Sequence, residues 1–231
     1  MTTNYFGADV AARYDSGTAD MPVEPVVDLL AELAGDGAAL ELGIGTGRIA
    51  LPLAQRGVPV HGIDLSAEMV AKLREKPGAE AIGVTLGDFS TTRVEGAFTL
   101  AYLVFNTINN LTTQDAQVAC FGNAAAHLEP GGCFVVEVGV GGGPPLEIFD
   151  LSDTHVGIDE YDAATQHLVS HHFSLVDGGW VRNSIPFRSV SPGELDLMAR
   201  LAGMRLRERW AGWNREPFTA ASTKHVSVWE R

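Results

Sequence analysis

Between residues 22 and 138 the apolar side chains recur in two alternating patterns, helical stripes and short β-prone runs, ten to fifteen residues apart. This rhythm predicts helix–strand units on a parallel sheet. Val23, Val26, Val27, Leu30 and Leu33 share one helical face, with Asp20 as the expected cap, Pro22 in the first turn and Gly35 and Gly37 as the stop. Strands are expected at 38–42, 58–63, 81–86, 97–105 and 133–138, each short and apolar, as a strand covered on both faces must be. Between them, helices are expected from Ile49 to Ala54, from a Ser66 cap to Lys76, and from a Thr112 cap to His127.

At residues 139–145 the composition shifts to Gly-Val-Gly-Gly-Gly-Pro-Pro, which reads as a flexible exit from the sheet. Two β-prone runs, 167–176 and 180–190, then flank Asp177-Gly178-Gly179 and predict a hairpin. Ser191-Pro192-Gly193-Glu194 is a capping box that opens a helix bearing Leu195, Met198 and Leu201. Met204–Trp210 and Lys224–Trp229 alternate with period two and close the chain as an antiparallel pair. The expected architecture is α/β. It has a seven-stranded, mostly parallel sheet with helices on both faces, an antiparallel last strand and an inserted β-hairpin lid. Residues 1–231 are expected to form one domain: an N-terminal lid and first helix (1–34), a ligand-binding core (35–140), the inserted lid (146–190), and the last helix and strands (191–231).

Charge narrows the range of partners. Sixteen Lys and Arg against 29 Asp and Glu give a net charge of −13, which repels nucleic acid and anionic lipid. The longest dense apolar run, Phe98 to Phe105, is far shorter than the ~20 residues a membrane helix needs. The first fifteen residues lack a basic start followed by an apolar stretch, so no targeting segment is expected. Cys120 and Cys133 make no disulfide framework. These features together predict a cytoplasmic protein that binds neither nucleic acid nor membrane.

The chemistry is concentrated at one strand-to-helix turn. Glu41-Leu42-Gly43-Ile44-Gly45-Thr46-Gly47 lies where an open parallel sheet binds its ligand, at the carboxyl ends of the strands. A dinucleotide fingerprint needs its third glycine at position 48, which here is Arg48. Acids stand at three successive strand ends, Glu41, Asp64 and Asp88, and suit a ligand with hydroxyls, an amine and positive charge better than a pyrophosphate.

These motifs resemble the class I S-adenosylmethionine-dependent methyltransferases: the 41–47 loop, Gly62-Ile63-Asp64-Leu65-Ser66, Gly87-Asp88-Phe89, Val104-Phe105-Asn106-Thr107 and Leu128-Glu129-Pro130-Gly131-Gly132, in the family's order. The layout is similar to that of amino-sugar N-methyltransferases, and the resemblance implies a Rossmann-like sheet and S-adenosylmethionine as cofactor. It further implies that Gly43, Gly45 and Gly47 underlie the methionine part and that Asp64 holds the ribose hydroxyls. Asp88 would accept from the adenine amine, with Leu65 and Phe89 around the ring. Glu41 would bias the site towards the cationic end, while Met69 and Phe105 complete the expected cofactor contacts. Plain alternatives exist: the glycines suit a tight turn, Met69 and Phe89 suit the core, and Asn106 and Asn109 suit a turn as well as an acceptor contact.

A sulfonium is an activated donor, so alignment of the acceptor is the main task, and no catalytic base is assigned. His127 is expected to be structural, with its cationic form favoured at a helix C-terminus. Of His171 and His172, strand alternation turns one inward. The strand-four exit lacks the Pro-Pro-Tyr of methyltransferases acting on base amines or amides, and no spacing reads as a metal site. The expected function is methyl transfer to the N or O of a small-molecule acceptor. A nicotinamide oxidoreductase and a non-catalytic cofactor-binding protein are the alternatives. Tyr5, Phe6, Val10 and Tyr14 form a near-helical stripe, expected with the 146–190 insertion to roof the acceptor pocket, Tyr14 touching the acceptor.

Overall fold

A computed structural model describes residues 4–231. The strands are β1 (Ala39–Leu42), β2 (Val60–Asp64), β3 (Gly83–Leu86), β4 (Phe98–Leu103), β5 (Leu128–Gly139), β6 (Leu146–Leu151), β7 (His155–Asp162), β8 (His167–Val176), β9 (Gly179–Arg188), β10 (Arg205–Trp210) and β11 (Lys224–Glu230). The helices are α1 (Ala8–Gly17), α2 (Glu24–Ala34), α3 (Ala50–Gln55), α4 (Ala67–Arg74), α5 (Gln114–His127) and α6 (Pro192–Leu201).

The larger sheet runs β10-β11-β5-β4-β1-β2-β3, with β1 to β5 parallel and β11 antiparallel to β5 and β10. From β1 the chain steps outward through β2 and β3, then returns to β4 on the other side. The strand order therefore reverses between β1 and β4, and a crevice opens at their carboxyl ends. Each face of this sheet carries its own core. Val26, Leu30 and Leu53 pack on one face, and Phe121, Leu195, Met198 and Trp229 on the other. Phe121 meets Phe134 and Trp229 edge-on, with centroids 5.0 and 5.3 Å apart.

Two caps differ from expectation. The second helix begins at Glu24 with Pro25 in its first turn, and no side chain caps it, so Asp20 and Pro22 lie in the link from α1. Thr113, not Thr112, caps α5, its Oγ1 accepting from the Ala116 N–H at 3.2 Å. The Ser66 cap and the Ser191–Glu194 capping box are present.

The expected hairpin is β8–β9, turned at Asp177 and Gly178, whose φ values of 50° and 80° are the pair of left-handed conformations a tight hairpin needs. Two further strands extend it into a separate antiparallel sheet, β6-β7-β8-β9. Those strands give no pattern in the sequence because β6 is exposed along its length and β7 carries three acidic residues, Asp159, Glu160 and Asp162, a composition that pairs only beside a formed neighbour. Arg188 anchors the insertion's far end to the body: its guanidinium donates to Gln117, to Gln166 and to the Glu194 carboxylate at 2.8 Å. Burial raises the Glu194 pKa, but Arg188, Gln166 and the Ser191 N–H outweigh it and bring it down to about 2.

Candidate active site

Glycine shapes the loop after β1. Gly43, Gly45 and Gly47 have φ of 83°, 53° and 77°, a region that side chains with a Cβ avoid. A Cβ on Gly47 would lie 2.3 Å from Leu73 Cδ1 of α4, and one on Gly43 would lie 2.7 Å from Thr107 Cγ2. The loop is thus pressed between α4 and the exit of β4. Asp64 braces it, Oδ2 accepting from the Gly45 N–H at 2.7 Å and Oδ1 from the Ser66 N–H at 2.8 Å. Each oxygen keeps another lone pair for a ligand hydroxyl. Burial raises the Asp64 pKa against the pull of these backbone donors. Leu65 follows, half-buried, and buried Met69 brings its Cε under Gly45.

Beyond β3, Asp88 Oδ1 accepts from the Ser90 N–H at 2.8 Å and the Ser90 hydroxyl at 2.6 Å. Buried Asn123 of α5 donates to the Phe89 and Thr92 carbonyls at 2.7 and 2.9 Å, which fixes this turn to the body. Phe89 is buried within the core and near Gly43. His127 is structural, as expected, but neutral rather than cationic. Its Nε2 accepts from the Val94 N–H at 3.0 Å and its Nδ1 faces the Asn123 carbonyl at 2.8 Å, while burial lowers its pKa.

A cavity of about 30 Å³ lies at the glycine loop, lined by Tyr14, Glu41, Gly43, Gly45, Arg48 and Phe105 among others. Glu41 is buried and accepts from the Tyr102 hydroxyl at 2.9 Å. Burial pushes its pKa up to about 8, against smaller downward pulls from Tyr102 and Arg48. The Arg48 guanidinium stands 5.5 Å from the Phe105 ring centroid. Tyr14 arrives on α1, which packs on α4. Asp15 Oδ1 accepts from the Thr46 hydroxyl at 2.6 Å and its other oxygen meets Lys76 Nζ at 2.7 Å. Of the aromatic stripe, Tyr14 lines the small cavity at the glycine loop and not the larger cavity described next.

Phe105 and Asn106 are consecutive non-glycine residues with φ of 57° and 59°, a strain of about 1–3 kcal/mol each that such segments carry at functional sites. Glu137 of β5 holds them, its carboxylate accepting from the Phe105 N–H at 3.0 Å and its carbonyl from the Asn106 N–H at 3.1 Å. Asn106 Oδ1 in turn accepts from the Gly139 N–H at 2.8 Å. This segment is a wall between two spaces. Val104, Phe105 and Thr107 line the small cavity, while Asn106 and Asn109 line one of about 600 Å³. The second is closed on its other side by the inserted sheet through Glu147, Asp159, Leu168, Ser170 and Phe187. Asp159 Oδ1 and Asn109 Oδ1 are buried there without a hydrogen-bond partner.

A family profile described as a methyltransferase domain matches residues 39–132. The CcbJ methyltransferase of Streptomyces caelestis is 37% identical, over 99% of this chain and 98% of that one, with a TM-score of 0.88. This chain belongs to the class I S-adenosylmethionine-dependent methyltransferases. The cypemycin N-terminal methyltransferase of a Streptomyces species is 27% identical over 203 residues, 83% of this chain and 82% of that protein. CalS10, an amino pentose methyltransferase of Micromonospora echinaspora, shares the fold at 21% identity and a TM-score of 0.65, over 99% of this chain and 92% of that one.

The nicotinamide and non-catalytic readings fall with that membership. The residues of this methyltransferase fit its cofactor, since Gly43 and Gly45 line a cavity beside the buried acid Glu41 and the Asp64 carboxylate, bonded to the Gly45 N–H, keeps further lone pairs for hydroxyls. When bound, S-adenosylmethionine supplies a methyl group on a sulfonium. Several residues around the two cavities escaped the sequence reading. In the sequence Arg48 reads only as a misfit to the dinucleotide fingerprint. Asn123, Glu137, Glu147, Asp159 and Ser170 carry no local signal, because strand register and helix packing alone bring them to the site.

Proposed function

We propose that this methyltransferase transfers a methyl group to an amine of a small molecule bound in the 600 Å³ cavity. The observation that carries the reading is the buried, unpartnered carboxylate oxygen of Asp159, on the wall facing Asn109, whose amide oxygen also lacks a donor. A buried acceptor without a donor costs about 1–3 kcal/mol, and an amine or ammonium brings two or three N–H donors where a hydroxyl brings one. Glu147 adds a second carboxylate to the same cavity. The amine specificities in the names of the cypemycin methyltransferase and CalS10 support this choice.

In this reading Glu41, Gly43, Gly45, Gly47, Asp64, Leu65, Met69, Asp88, Phe89 and Phe105 hold the cofactor, Tyr14 closes over its methionine end, and Asn106 and Asn109 face the acceptor. Chain 1–231 works as one domain with 146–190 as the cover of the cavity. The net charge of −13 supports a small acceptor over nucleic acid, and two buried free thiols support a cytoplasmic setting. Among the described residues no helix is long and apolar enough to cross a membrane.

The test is S-adenosylhomocysteine release with glucosamine and with methyl glucoside as paired acceptors, followed by mass spectrometry of the products. Methylated glucosamine, with a KM raised about tenfold or more in Asp159→Asn, is expected from loss of a charge-assisted contact. Methylation of the hydroxyl acceptor alone overturns the amine assignment.

A further inference from the structure

One side-chain chain leaves the acceptor cavity and serves neither the cofactor nor the core. Ser170 of β8 lines the cavity and is 7% exposed. Its hydroxyl lies 3.3 Å from His172 Nε2. His172 Nδ1 lies 3.1 Å from His155 Nε2 of β7, and His155 Nδ1 lies 2.6 Å from Asp150 Oδ2 of β6. Only one set of tautomers satisfies every link: both histidines protonated on Nδ1, each donating outward, with His172 Nε2 accepting from Ser170. Asp150 fixes the direction from the far end, where it is 45% exposed to solvent. Gly157 makes room for the ring that shields the middle. A Cβ there would lie 2.2 Å from Phe149 Cε2, and Phe149 packs edge-on to His172 at 5.4 Å between centroids.

We propose that Ser170, His172, His155 and Asp150 form a relay that takes the acceptor's proton from the cavity to solvent during methyl transfer. The inference rests on the acceptor occupying this cavity, and applies to an amine or a hydroxyl. As the acceptor's proton passes to Ser170 Oγ, the Ser170 proton moves to His172 Nε2. The Nδ1 proton of His172 moves to His155 Nε2, and that of His155 moves to Asp150 and then to water. The lone pair freed on the acceptor forms the bond to the methyl carbon, and the electron pair of the breaking carbon–sulfur bond goes to sulfur. Burial, then the neighbouring His155, lowers the His172 pKa, which keeps its Nε2 open to a proton at neutral pH. The charged and titratable groups around His172 are Asp150 of β6, His155 and Asp159 of β7, and His171 on its own strand; the β9 residue opposite is uncharged Asn183. His171 faces the other way, towards Ser184 and Glu160.

Two measurements on the full chain decide the matter. In ¹⁵N-histidine NMR of the protein alone, His172 and His155 are expected as Nδ1–H tautomers in the wild type. An Nε2–H tautomer of His172 overturns the relay whatever the acceptor. In turnover, with glucosamine or methyl glucoside as the acceptor probe, His172→Ala is expected to lower kcat about a hundredfold, a usual worth of proton transfer. KM should stay within about twofold, the pH profile should lose its acid limb, and added imidazole should restore the rate. His171→Asn should retain the wild-type profile. A normal kcat in His172→Ala, or a lowered one that imidazole does not rescue, overturns the relay. If only methyl glucoside is methylated, the amine assignment fails and the relay is judged on that acceptor. If neither is turned over, the tautomers decide.

Discussion

Asp64 at the end of β2 and Asp159 on β7 both stand beside a cavity, and the protein holds them differently. Asp64 has both oxygens bonded to backbone N–H groups of its own sheet's loops. Asp159 has a buried oxygen with no partner. The same contrast runs through the two sheets. The central strands β1 and β4 of the parallel sheet are buried on both faces, and the sheet's loops are fixed by left-handed glycines, Asn123 and the Asp64 brace. The inserted sheet leaves β6 wholly exposed and turns the unpartnered Asp159 oxygen towards the space it covers. A carboxylate already satisfied by backbone positions that backbone, whereas a buried unsatisfied one calls for a donor from the ligand. Under the proposed function, the first region serves one invariant ligand and the second sets which acceptor completes it.

The sharpest way to break this comparison is to place side chains on glycines of each region. Gly45 has φ of 53° and a Cβ there would already be 3.2 Å from Met69 Cε, so the branches of valine drive into α4 or the loop. Gly45→Val is expected to abolish S-adenosylhomocysteine binding in isothermal titration calorimetry. Gly142, in the stretch entering the inserted sheet, has φ of 82° but nothing within 4 Å of its would-be Cβ. Gly142→Ala should cost about 1–2 kcal/mol of backbone strain and leave cofactor affinity within about twofold. Equal losses in the two variants would show that the regions are not built differently.

That asymmetry also explains what the sequence made legible. The glycine loop, Asp64 and Asp88 are readable because each requirement is local: a positive φ demands glycine, and an acid at a strand end lies at the carboxyl edge. Arg48, seven residues beyond the buried acid Glu41 and lining the same small cavity, is readable only as a glycine that is missing. Tyr14 shows the limit of a helical stripe, which says that a face is covered but not by what. Here α1 packs on α4, Tyr14 lines the small cavity at the glycine loop, and the neighbouring Asp15 ties the helix to Thr46 and Lys76. Asp159 and Ser170 face each other across β7 and β8. That pairing depends on a register set by β6 and β7, strands whose acidic composition conceals them.

A smaller effect is expected at Glu41, where the cofactor side carries its own unresolved charge. Burial holds its pKa near 8, far above an unfolded glutamate near 4.3. Between those values the native chain binds the proton and the unfolded chain does not, so native stability falls as pH rises through this window. A cation placed beside Glu41 favours the ionised form, so binding releases a proton. Affinity for S-adenosylhomocysteine should therefore climb about tenfold or more from pH 6 to pH 8 and level off above. Glu41→Gln keeps an acceptor for Tyr102, and should flatten the pH dependence of both affinity and melting temperature. A steep pH dependence persisting in Glu41→Gln would assign it to another group. In the inserted sheet, Asp159→Asn should leave cofactor affinity unchanged at every pH in this range.

The smallest effect concerns the latch that ties α1 to the cofactor loop. Lys76 Nζ meets Asp15 Oδ2 at 2.7 Å and donates to the Thr46 carbonyl at 2.8 Å, so one ammonium joins α1, the glycine loop and the end of α4. The Lys76 side chain is 28% exposed and that of Asp15 45%, and ion pairs so open to water contribute about 0–1 kcal/mol. The Asp15 bond to the Thr46 hydroxyl survives the loss of Lys76. Lys76→Ala should therefore weaken S-adenosylhomocysteine binding no more than about fivefold, mainly through faster dissociation, because α1 is held less firmly over the small cavity. Stopped-flow displacement separates the rates. The acceptor KM should stay constant, since neither Lys76 nor Tyr14 lines the larger cavity. A rise in acceptor KM with unchanged cofactor dissociation would instead make α1 part of the acceptor's roof, and the division between the two regions would have to be redrawn.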